Sequence, residues 1–167
     1  MAATQVQSGF SDCILAGGVE SISTTQGNTN MHMYVNDKLA ADVPGIYHAM
    51  GQTAECVAKR YNVTREAQDE YALSSQQRTA AAQEAGLYAD EIVPMDTVMK
   101  LVNKESGEEK DVDVTVDKDD CNRPETTLEG LQSLKPVFDP EGGSVTAGNS
   151  SQLSDGASVT LVMSEDK

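Results

Sequence analysis

The scarcity of large apolar side chains sets the tightest limit on what this chain can fold into. Its 167 residues include no Trp, two Phe and five Tyr, and much of the 38% hydrophobic content is Ala. A self-standing domain of this length buries about 70% of its unfolded surface, and bulky side chains supply most of the stabilisation from that burial. With so few of them, the chain is expected to depend on further chain or on a partner to complete its core.

The formal charge of −15, from 27 acidic and 12 basic residues, repels nucleic-acid phosphate and anionic membrane surfaces. No basic run offsets it, so nucleic acid is excluded as a partner. The acidic residues between Glu105 and Asp120 are interspersed with Lys110 and Lys118 and read as a solvated surface, not a metal site. Cys13, Cys56 and Cys121 are odd in number and far apart, which indicates neither a disulfide framework nor a zinc site. The first residues carry no basic leader followed by an apolar segment, and no later stretch is long enough to span a bilayer. A soluble, intracellular protein without metal is the expectation.

Residues 2–8 read as the end of a helix closed by Gly9, and Cys13-Ile-Leu-Ala16, running into Gly17-Gly18, as a buried strand. Thr24 to Gly45 lacks periodicity and is expected to hold little regular structure. A helix over Met50–Tyr61 would turn Met50, Ala54, Val57 and Tyr61 to one face. A second helix, capped by Thr64 and stopped near Gly86, would present Ala67, Tyr71, Ser74, Arg78, Ala81 and Ala85. Strands are expected over 92–95, 98–102 and 112–116, the last two paired across Ser106-Gly107. Thr126-Thr-Leu-Glu129 has capping-box spacing for a short helix, and Ala157–Met163 reads as a final strand. The class is α/β with an inserted α+β section.

One stretch stands out for chemistry: Val145-Thr-Ala-Gly-Asn-Ser-Ser-Gln-Leu-Ser-Asp-Gly-Ala157 reads as a strand, a bare-backbone turn and a hydroxyl-rich helix start. Gly148 admits close approach of a bound group, while Asn149, Ser150 and Ser151 supply short donors and acceptors.

Four blocks share the order and spacing of one family: Leu15-Ala-Gly-Gly-Val-Glu-Ser-Ile-Ser23, Met50-Gly-Gln-Thr-Ala-Glu55, Arg65-Glu-Ala-Gln-Asp-Glu-Tyr-Ala72, and the run from Arg123 through Asp155-Gly156. In these the chain resembles the thiolases, acyl-CoA acyltransferases that cleave or build 3-ketoacyl-CoA. Gly148-Asn-Ser-Ser-Gln152 is closer to the degradative members, acting in fatty-acid β-oxidation, than to the biosynthetic ones. The resemblance implies a partial thiolase-fold N-terminal half, 1–23 with 140–167, interrupted by a CoA-covering loop domain over 24–139.

The resemblance further implies that the family's nucleophilic Cys, its His and its second Cys have no counterpart among these residues. Cys13, Cys56 and Cys121 match none of those positions, nor do His32 and His48. What it carries over is binding, with coenzyme A as substrate and no cofactor. Arg123 would lie against the adenine, where a guanidinium stacks on the ring and meets phosphate. Gly130, Leu131 and Leu134 would line the nucleotide and upper pantetheine, with Gly130 at a position the family often fills with Ser. Ala147, Gly148 and Ser151 would contact the pantetheine arm, and Met50 would form part of the acyl pocket wall. Without the resemblance, Met50 reads as core, Arg123 as neutralising Asp119-Asp120, and Ser151 as a helix cap. A homo-oligomeric full-length parent is implied, in the cytoplasm of a bacterium or an organelle matrix of a eukaryote.

Overall fold

A computed structural model describes residues 1–167, with six α-helices and four β-strands forming two compact units. One comprises residues 1–47 and 152–167, the other 48–151. These boundaries differ from the division into 1–23 plus 140–167 and 24–139 drawn from the resemblance. No helix is long and apolar enough to cross a membrane.

In the first unit, α1 (Ala2–Gln7) precedes β1 (Cys13–Glu20), which pairs antiparallel with β4 (Gly156–Met163). Gly9 ends the α1 turn with a φ of 74°, as its lack of a Cβ permits. The register sets Leu15 opposite Leu161, Gly17 opposite Val159 and Val19 opposite Ala157, so these residues share one face. That face is bare, with Leu15 72% and Val19 79% exposed. The expected buried strand is therefore a strand with an open apolar face, and Cys13 is exposed on it. The sheet has two strands, and α1 packs on them so that only Ile14, Ala16 and Val162 on the alternate face are half-buried, together with Ala2 and Val6 of α1.

The 24–45 stretch holds more structure than expected. After α2 (Ile22–Thr25) and a 3-10 turn over Gln26–Asn28, a helix α3 covers Asp37–Asp42. Asn36 caps α3 by accepting from the Leu39 N–H at 3.0 Å, and Asp37 complements its dipole. Caps replace apolar periodicity as the cause of this helix. Tyr34 and Tyr47 meet edge to face with ring centroids 5.6 Å apart.

The second unit holds α4 (Met50–Tyr61), α5 (Arg65–Glu84), the hairpin β2 (Met95–Val102) with β3 (Glu109–Val116), and α6 (Leu128–Gln132). Asn62, in the left-handed region, and the Thr64 cap separate α4 from α5. Residues 92–94 stay irregular, and the two expected runs collapse into the single strand β2. Between β2 and β3, Asn103 Oδ1 accepts from the N–H groups of Glu105 and Ser106, and Gly107 takes a φ of 71°. The α6 cap is Thr127, not Thr126; the Thr126 hydroxyl instead donates to the Arg123 carbonyl.

Both long helices turn a different face inward than apolar periodicity indicates. Met50, Ala54, Val57 and Tyr61 are exposed on α4, while Glu55 is buried and Gly51 packs on the Phe138 ring. On α5, Ala67, Tyr71, Arg78, Ala81 and Ala85 are exposed; Asp69 is buried, and Arg65, Gln68, Ala72 and Gln76 beside it are half-buried. Hydrogen-bonding polar side chains select these faces, because their partners lie in the 123–149 region.

Candidate functional site

Two buried carboxylates organise the interior of the second unit. Asp69, 0% exposed, accepts from Arg65 Nε on one oxygen at 2.8 Å and from Asn149 Nδ2 on the other at 3.0 Å. Arg65 stands one turn earlier on α5, and its Nη2 donates to the carbonyls of Leu131 at 2.8 Å and Leu134 at 3.0 Å. The Leu131 carbonyl also accepts from the Leu134 N–H at 3.1 Å, and Nη2 of the guanidinium gathers both carbonyls at the end of α6. Glu55 of α4, 5% exposed, accepts from the Val145 N–H at 2.8 Å, and from the N–H and hydroxyl of Ser144. Charge-assisted bonds of this kind make burial of a carboxylate tolerable.

The loop these acids hold is neither strand at 145 nor helix after 149. Its polar groups close on one another. Asn149 Oδ1 accepts from the Thr146 N–H at 2.7 Å, Thr146 Oγ1 accepts from the N–H groups of Gly148 and Asn149 at 3.2 Å, and the Ser150 hydroxyl donates to the Thr146 carbonyl at 2.6 Å. Backbone groups satisfied by local side chains need no ladder and no helix. Thr146 is 0% exposed at the centre of this turn.

Gly148 is required for space and not for an unusual backbone angle. A Cβ there would lie 2.6 Å from Leu134 Cδ1 and 2.7 Å from Leu131 Cδ2, well inside contact distance. The structure thus brings Leu131, Leu134 and Gly148 together, with Gly130 and Ala147 adjoining them in sequence. The space that a side chain at Gly148 would occupy is filled by these two leucines. Leu131 is buried and Leu134 is 38% exposed.

The remaining expected site residues are exposed. Gly130 donates its N–H to the Thr127 hydroxyl at 3.1 Å, and Ala147 and Ser151 lie on the surface of the loop. Ser151 is not a helix cap, since no helix follows it. Arg123 donates its backbone N–H to Gln76 Oε1 at 2.8 Å, which ties the residue to α5 and leaves the side chain exposed. Its guanidinium pairs with neither Asp119 nor Asp120; Lys118 approaches Asp120 instead, at 3.9 Å. Met50 begins α4 and is 75% exposed, so the core reading for it fails. The Ala49 methyl cannot cap α4, but Gln52 Oε1 accepts from the Ala49 N–H at 3.0 Å.

Cys13 lies in β1, Cys56 in α4 and Cys121 after β3, all exposed and on separate elements. No group of three His, Cys, Asp or Glu side chains is placed to hold a metal ion. Near the loop, Lys59 donates to Asp139 at 2.9 Å; this bond holds the Asp139 carboxyl below the usual range and raises the Lys59 ammonium above it. A shallow depression of about 470 Å³ on the hairpin, lined by Asp96, Thr97, Val98, Asp113, Val114 and Thr115, shares no residue with the expected binding set.

Sequence reasoning missed Glu55, Arg65, Asp69 and Gln76 as supports. The Arg65–Asp69 spacing of four was visible as a helical ion pair, but the carbonyls and amide it serves lie 66 to 80 residues away.

Residues 1–166 match the family described as "Thiolase, N-terminal domain". The chain is 44% identical over 161 residues to the Arabidopsis thaliana protein named 3-ketoacyl-CoA thiolase 1, peroxisomal, covering 96% of this chain and 35% of that one. It is 43% identical over 173 residues to an acetyl-CoA acetyltransferase of Rhizobium meliloti, covering 96% of this chain and 41% of the relative. Among solved structures, the dimeric peroxisomal thiolase of Saccharomyces cerevisiae matches with a TM-score of 0.73 at 32% identity, over 96% of this chain and 38% of that one. Human mitochondrial 3-ketoacyl-CoA thiolase in complex with CoA matches with a TM-score of 0.66 at 34% identity, over 98% and 40%. The expected mixed α/β class is confirmed by these likenesses. The chain spans well under half the length of the relatives it matches.

Proposed function

The chain belongs to the thiolase family, and on that premise we propose that it forms the coenzyme A-binding portion of a 3-ketoacyl-CoA thiolase. The full-length parent transfers an acyl group between a 3-ketoacyl-CoA and CoA in fatty-acid β-oxidation. These 167 residues hold CoA but do not carry the Cys, His and Cys of the reaction. The observation that supports this most is the packing of Leu131 and Leu134 on the Gly148 backbone, which joins the two segments the resemblance assigns to CoA. An apolar floor with exposed polar groups beside it suits a ligand that is partly pantetheine and partly nucleotide.

In this reading the exposed Arg123 guanidinium takes the adenine and a phosphate, with its backbone held by Gln76. Gly130, Leu131 and Leu134 line the upper pantetheine. Ala147, the remaining face of Gly148 and the Ser151 hydroxyl meet its lower part, and the exposed Met50 contributes to the acyl wall. Residues 24–139 act as the CoA-covering loop domain, and 1–23 with 140–167 belong to the catalytic body. The parent is a homo-oligomer, in an organelle matrix of a eukaryote or the cytoplasm of a bacterium.

Calorimetric titration of the chain with CoA tests the reading. Binding is expected, and Arg123→Ala should weaken it about tenfold, on the order of one charge-assisted contact; no heat of binding at millimolar CoA would overturn it. Thiolysis of a 3-ketoacyl-CoA by the chain alone should not exceed a boiled control.

One observation favours a second reading, a stand-alone CoA-binding or partner-dependent structural module. Leu131 and Val145 are the only buried hydrophobic residues, so the apolar surface left open is large. Sedimentation as a stable, cooperatively unfolding monomer would count against a need for a partner.

A further inference from the structure

Resting on the CoA reading above, we propose that Asp69 is the common positioning residue of the site, holding residues 128–134 with one carboxylate oxygen and residues 146–150 with the other. Asp69 is not assigned to CoA by the resemblance and is completely buried. Its influence runs through neighbours. Oδ2 accepts from Arg65 Nε, which aims the guanidinium so that Nη2 reaches the Leu131 and Leu134 carbonyls. Oδ1 accepts from Asn149 Nδ2, and the same amide group donates to the Ser144 carbonyl while its oxygen takes the Thr146 N–H.

The chemistry of a carboxylate is specific to this task. It offers acceptors on both oxygens, whereas an amide of the same shape offers one acceptor and one donor. Both partners of Asp69 are donors. An Asn in its place would set its NH₂ against either Arg65 or Asn149 and would remove the negative charge that holds the guanidinium. The two segments lie more than ten residues apart in sequence, yet both take their position from the second turn of one 20-residue helix. Glu55 holds only the beginning of the loop, at Ser144 and Val145, and makes no bond to α6.

Hydrogen–deuterium exchange of the intact chain, read by peptide, separates this arrangement from general destabilisation. Asp69→Asn should speed exchange about tenfold in both 128–134 and 146–150 while leaving the 95–116 hairpin unchanged. Arg65→Lys keeps a charge beside Asp69 but lacks the fork, and should speed 128–134 alone. Asn149→Ala should speed 146–150 alone. Acceleration of only one segment by Asp69→Asn, or an equal rise in the hairpin, would overturn the proposal. Should Asp69→Asn fail to fold, the two single-arm variants decide: equal acceleration of both segments by either would sink it.

CoA titration supplies the functional arm. The Kd for Asp69→Asn should rise about tenfold although the carboxylate touches no ligand, and an unchanged Kd would refute a positioning role. Absence of CoA binding by the unaltered chain would remove the CoA reading, while the exchange pattern would still judge Asp69 as the shared support.

Discussion

The β1–β4 sheet of the first unit and the 131–149 region of the second reverse the usual relation between polarity and burial. In the sheet, Leu15, Val19, Val159 and Leu161 share a face and are exposed. In the second unit the fully buried side chains are those of Asp69 and Thr146, with Glu55 close behind. Burial here is decided by saturation of hydrogen bonds, not by apolar area. The first region keeps its pairing through a backbone ladder and lacks a cover on one side. The second is held by donors matched to carboxylates, an arrangement that is stable only while every partner is present.

The contrast breaks most severely at Glu55. Its removal as Glu55→Ala leaves the N–H groups of Ser144 and Val145 without their acceptor inside the unit. At about 1–3 kcal/mol for each unsatisfied buried group, the expected loss is roughly 3 kcal/mol, measurable as a fall in the denaturant midpoint. A midpoint within error of the parent chain would mean that the polar interior is not what holds this unit.

Acid sharpens the comparison from the other side. Asp155 accepts from the Ser23 hydroxyl and N–H and from Ser21, and these bonds hold its carboxyl below the usual range. A lowered folded-state value contributes stability that is present above the ordinary aspartate range and is lost as pH falls through the folded value. Amide exchange over residues 21–25 should therefore accelerate below about pH 4, and Asp155→Asn should remove that pH dependence. The same acceleration in the variant would show that Asp155 is not the titrating group.

The smallest effect belongs to the bare sheet. Leu15→Ser removes an apolar side chain that has little contact to lose, so stability should change by no more than about 0.5 kcal/mol. Binding of a hydrophobic dye should fall at the same time. A loss of 2 kcal/mol or more would reveal that Leu15 is covered in solution.

Much of the local structure was legible in the sequence because local chemistry decides it. Thr64 and the Gly86 stop mark α5, and the alternation of Val112, Val114 and Val116 with Gly107 nearby marks the hairpin. Which face of each helix turns inward was not legible. The partners of Glu55 are 89 and 90 residues away and that of Asp69 is 80, beyond any periodicity within α4 or α5. The 145–151 loop misled for a related reason: Thr146 and Asn149 satisfy its backbone themselves, so a run that suits strand and helix start becomes neither. For the candidate site, resemblance named Leu131, Leu134 and Gly148, and the structure joins them; the acids that hold them follow from tertiary contacts alone.

The pairing of Cys13 with Met163 and the capping of α2 by Asp155, 134 residues downstream of Ser21, also impose an order on biosynthesis. β1 emerges from the ribosome long before β4 exists. At about 5–20 residues per second of translation, β1 waits about 7–30 seconds for β4. The second unit lies wholly between them in sequence and can close before β1 and β4 pair.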